Sequence, residues 1–121
     1  MTLPVAFAII VGMGMLAQWS ISYFTKQIPE LESEPYRIWF HIAGEIITAV
    51  LLITGGIALL AKWPSAQALY LLAMGMLIYT AIVSPGYFAQ KGQWAWVLIF
   101  AVIIILAILS AITVASSTAT Y

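Results

Sequence analysis

Residues 38–61 read IWFHIAGEIITAVLLITGGIALLA, an apolar run in which Glu45 is the single residue of fixed charge type and His41 the single imidazole. An α-helix needs about 20 mostly apolar residues to cross a hydrocarbon core of roughly 30 Å, and this run satisfies that length. Working outward, three further runs of the same kind appear, from about Leu3 to Thr25, from Ala66 to Ser84, and from Trp94 to about Val114. The expected fold class is therefore all-α, an integral membrane four-helix antiparallel transmembrane bundle. It forms a single transmembrane domain over residues 1–121, with helices at about 3–25, 38–61, 66–84 and 94–114.

The breaks between runs fix that count. Lys26 to Arg37, with Pro29, Pro35, Glu30, Glu32 and Glu34, reads as a polar loop. Pro35 suits a first helical turn, with Ser33 or Glu34 as cap, so the second helix is expected to begin there. Lys62-Trp63-Pro64-Ser65 makes a tight connection. Pro85-Gly86 ends the third run, and the segment through Gln93 reads as a loop. Consecutive spans joined by so few residues must be neighbours.

Composition points the same way. With 64% hydrophobic and 7% charged residues among 121, there is too little polar surface to keep so small a globule in water. Membrane lipids are thus the first expected partner. A formal net charge of zero without a basic stretch gives no reason to propose nucleic acid. Cysteine is absent, which removes disulfides, thiolate catalysis and cysteine metal sites. The first run is long, has no basic region before it and no obvious cleavage site after it, so it reads as a retained helix rather than a signal peptide.

Lys26, Arg37 and Lys91 lie on the side of the first and third loops, against Lys62 on the side of the second loop and both termini. The positive-inside rule then puts both termini outside, with a prokaryotic cell membrane as the expected setting. Aromatic residues gather toward the first and third loops, among them Trp19, Tyr23, Trp39, Phe88 and Trp96, whereas Trp63 and Tyr70 belong to the opposite interface.

Ionisable groups inside a span are functional hypotheses by default, because they are expensive in hydrocarbon. Glu45 lies about seven residues inside the second apolar run, hence roughly 10 Å deep. His41 is one turn earlier and Thr48 a further three residues on, so the three share a helix face. Gly44 beside them leaves room for a neighbouring helix or a ligand. Gln18 on the first helix is expected level with Glu45, and the third helix offers Tyr79, Thr80 and Ser84 near that depth. The candidate ligand or proton site is therefore Glu45, His41, Gln18, Thr48 and Tyr79. In the competing reading these groups merely hydrogen-bond one another as interhelical glue, each contact contributing about 1 kcal/mol.

Other features read as packing. Met13-Gly14-Met15 and Met74-Gly75-Met76 combine small residues that admit a close neighbour with side chains that fill gaps. Ala107, Ala111 and Ala115 form a packing or oligomer stripe. No nucleophile motif, zinc pair, phosphate loop or cofactor fingerprint is present, so no catalytic residue, metal or cofactor is assigned. A lone histidine can supply both axial ligands of a haem only across a dimer.

The Gly44-Glu45 pair, the Gly55-Gly56 pair, the short turn and the Met-rich third helix together resemble the small four-helix membrane proteins of the DoxX-like group, over Ile38 to Ser84. The resemblance implies a four-helix bundle and an association with membrane redox or quinone chemistry; His41, though within that stretch, is not matched by the group's pattern. Two functions follow from the sequence as a whole. One is proton-coupled transport or small-molecule binding at Glu45 and His41, favouring a homo-oligomer because four short helices enclose little space. The other is an accessory or structural subunit that binds a partner membrane protein.

Overall fold

The structure is a computed structural model and describes residues 2–117; the last four residues of the Ser/Thr tail, 118–121, lie outside the described residues. Those residues form helices and no strands. Four helical stretches are long and apolar enough to cross a membrane: α1 (Thr2–Phe24), α3 (Pro35–Ala61), Ala66–Gln90, and α6 (Trp94–Ala115). The third contains α4 (Ala66–Val83) and α5 (Pro85–Gln90), and α2 (Glu30–Ser33) is a single turn between α1 and α3. The ends of the long helices agree with the sequence reading to within three residues, and Pro35 occupies the first turn of α3 as expected.

Two expectations need correction. The Lys26–Arg37 loop contains the helical turn α2, and the loop after Pro85 is largely the helix α5. Proline ends a helix by lacking an N–H, yet it also suits the first turn of a new one. Ser84 keeps right-handed helical dihedrals (φ −65°, ψ −36°) and its N–H still bonds the Thr80 carbonyl at 2.8 Å, so α5 continues almost directly from α4.

The long helices pack as a ring: α1 against α3, α3 against α4, α4 against α6, and α6 back against α1. The contacts run antiparallel. Trp19 near the end of α1 meets His41 near the start of α3, with ring centroids 5.7 Å apart, while Gly12 faces Ala49 and Gly56 faces Val5. On α6 the buried residues are Ala107, Ser110 and Val114. Of the expected alanine stripe Ala107 is fully buried, Ala111 packs half-buried against the core, and Ala115 is exposed.

The half of the bundle nearest the α3–α4 turn is closed by close approach. At Gly55 an added Cβ would lie 3.2 Å from the Tyr70 Cα, so the glycine lets the α4 backbone settle on α3. Tyr70 is fully buried, and its hydroxyl crosses the bundle to donate to the Pro4 carbonyl at 2.7 Å. Gln67 donates to the Val114 carbonyl at 2.8 Å, tying the start of α4 to the end of α6. A buried phenol in apolar surroundings requires such a partner.

Candidate functional site

The other half of the bundle is not closed in this way. Gly44 on α3 and Gly75 on α4 have open space where a Cβ would project, and both line a groove of about 610 Å³ between the two helices. The groove follows α3 from Phe40 to Thr48 and α4 from Leu71 to Val83, lengths of about 12 and 18 Å at a rise of roughly 1.5 Å per residue. Its flanks, Phe40, Leu72 and Tyr79, are exposed, so it opens sideways from the bundle. Its walls are mainly apolar.

Glu45 lies at the floor of this groove and is 7% exposed. The Ser84 hydroxyl donates to its Oε1 at 3.3 Å from the last turn before Pro85. His41 Nε2 stands 3.7 Å from the same oxygen, too far for a good hydrogen bond but close enough for strong electrostatic coupling. The His41 side chain is 41% exposed and also lines the groove. Trp19 of α1 packs edge-on against the imidazole and also approaches the carboxylate. The result is one carboxylate and one imidazole, a turn apart, sharing an opening.

Among the described residues no three imidazole or carboxylate groups gather as a metal site. Residues 2–120 match a family described as a domain of unknown function (DUF8058), a match that takes in all four long helices and both walls of the groove. The chain belongs to that family. No curated protein and no solved structure matches it.

In this DUF8058 chain four of the five residues expected at the site line the groove: His41, Glu45, Thr48 and Tyr79. Their roles differ. Thr48 turns its hydroxyl back to the Gly44 carbonyl at 2.7 Å, satisfying itself within α3. Tyr79 is 67% exposed and forms a flank. Gln18 is not brought to the site: it is exposed, and its Nε2 donates to Ser22 Oγ at 3.4 Å along α1. The reason is azimuth. One residue is about 100° of rotation on a helix, and Trp19, seven residues beyond the buried Gly12, shares the face packed on α3. That phase relation was available in the sequence; depth alone pointed to Gln18.

Proposed function

We propose that the chain inserts as a multi-pass membrane protein and binds a small amphiphilic molecule in the α3–α4 groove. The molecule's polar head meets Glu45 and His41, and its apolar body lies along Leu72, Gly75 and Met76. The observation that carries this reading is a buried carboxylate beside an open groove. Glue alone would favour a neighbour helix over Gly44 and Gly75, enclosing the carboxylate with further partners. The sideways opening favours entry from hydrocarbon. Binding is preferred to passage across the membrane because the other half of the bundle is filled around Tyr70, Leu52 and Met74, all fully or almost fully buried.

The test is ¹⁵N NMR of the full chain in lipid nanodiscs, titrated with dodecanol and, as a control without a polar head, dodecane. Dodecanol should shift the amide signals of Gly44 and Gly75 and the His41 ring nitrogens saturably, and dodecane should not. Small non-saturating shifts spread over the outward faces of α1 and α6, with none concentrated at the groove, would overturn the reading.

A further inference from the structure

Resting on that reading, we propose that the groove's occupant is a lipophilic organic cation, an amine or onium head on an apolar body, bound by Glu45 in exchange for a proton.

Charge complementarity selects this class. The chain has four Lys and Arg residues, Lys26, Arg37, Lys62 and Lys91, and none lines the groove. Arg37 is engaged with Glu34 at 3.2 Å, and the Lys91 ammonium donates to the Tyr87 hydroxyl at 2.6 Å. The groups facing Glu45 are His41 on its own helix, Trp19 on α1 and Ser84 at the end of α4, while Tyr79 shares the groove as an exposed flank. Only His41 among them can become positive. With the imidazole neutral, the groove carries one negative charge in surroundings that solvate it poorly, an arrangement that demands a proton or an external cation. An anionic head would meet repulsion and no positive side chain.

The rest of the groove rejects hydrated metal ions. The groove holds a single carboxylate, and the Thr48 and Thr80 hydroxyls that also line it are turned back to carbonyls of their own helices, a set too sparse in charge and convergent oxygens to replace the six to eight ligands of calcium or the near-octahedral shell of magnesium. An organic cation sheds little hydration, and Phe40 and Tyr79 on the flanks supply aromatic faces to which such a charge is attracted. Its apolar substituents suit the walls formed by Leu72 and Met76.

Proton and cation compete for the same carboxylate. The protonated acid and the cation give a carboxylate–cation pair and one released proton, so charge balances without another reactant. The direction with pH follows: acidification protonates the Glu45 carboxylate and so weakens cation binding. Alkalinity strengthens it until the carboxyl is fully ionised.

The decisive experiment is equilibrium dialysis of radiolabelled tetraphenylphosphonium against the full chain in phosphatidylcholine nanodiscs, with empty nanodiscs of the same lipid subtracting the non-saturable uptake of this lipophilic cation by the bilayer. Saturable binding is expected. Well on the acid side of the Glu45 titration its apparent Kd should rise toward about tenfold per pH unit, the limit set by obligatory loss of one proton. In weak buffer, binding there should release one proton, that of Glu45. Glu45→Gln should weaken binding by more than about tenfold, while dodecanol still shifts Gly44 and Gly75 in that variant. Binding without pH dependence and proton release overturns the proposal in wild-type protein alone, whether or not the variant folds. If dodecanol occupies the groove and the phosphonium does not, the cation proposal falls and the groove reading stands; if neither binds, both fall.

Discussion

Replacing Gly12 with alanine isolates the energetic value of the α1–α3 seam. A Cβ on Gly12 would lie 2.7 Å from Ile53 Cγ1 and 2.8 Å from the Ala49 carbonyl oxygen, with Leu52 Cβ at 3.2 Å. The isoleucine can rotate aside, but the carbonyl belongs to the α3 backbone, so relief requires the two helices to separate. Overpacking of this kind costs about 1–3 kcal/mol. Against it stands the helix propensity gained on replacing glycine with alanine, about 1 kcal/mol at most. Gly14 is the control, because no atom lies within 4 Å of its would-be Cβ. Gly14→Ala therefore receives the propensity gain alone. The difference between the two variants cancels propensity and leaves packing, so Gly12→Ala should be less stable than Gly14→Ala by about 1–3 kcal/mol. Unfolding in mixed micelles by increasing the mole fraction of dodecyl sulfate, followed by far-ultraviolet circular dichroism, measures this difference. Variants equal to within about 0.5 kcal/mol, the ordinary scatter of surface substitutions, would refute the seam.

Tyr70→Phe deletes the hydroxyl that donates to Pro4 and should lower stability by about 1 kcal/mol in the same unfolding experiment; Tyr79→Phe, at an exposed position, should leave it within about 0.5 kcal/mol of wild type. Terminal fusions to a reporter active only outside the cytoplasm should be active at both ends, as the distribution of Lys26, Arg37 and Lys91 against Lys62 requires. Activity of a cytoplasmic reporter at either terminus would reverse that orientation.

The count of four long apolar helices was legible because it depends on long apolar runs, a property of composition that tertiary packing hardly alters. Local continuity was less so. Pro85-Gly86 reads as punctuation, yet the same proline begins α5 because Ser84 retains helical dihedrals. At the site, the relation between His41 and Glu45 followed from a four-residue spacing within one helix. Contacts between helices were harder, since the sequence gives depth readily but rotation only through the phase of buried residues. Gln18 and Trp19 differ by one position and face different surroundings for that reason. The groove itself was only partly foreshadowed: Gly44 suggested space, but Gly75 read as packing, and an open glycine is distinguishable from Gly12 only once the neighbouring helix is in place.

The Tyr70–Pro4 hydrogen bond also orders the events of synthesis. The chain emerges from its N-terminus, so α1 and α3 can pair along Gly12 and Gly56 before Tyr70 has been made. The Pro4 carbonyl is then already held on the first hairpin when the second, α4 with α6, is completed and joined by Gln67 to Val114. Docking of Tyr70 on Pro4 can follow once α4 has been made and laid on α3 at Gly55, with α6 closing the ring last. A chain stopped after Ala61 would keep the seam between its two helices and lack the tyrosine that fastens the second pair to the first.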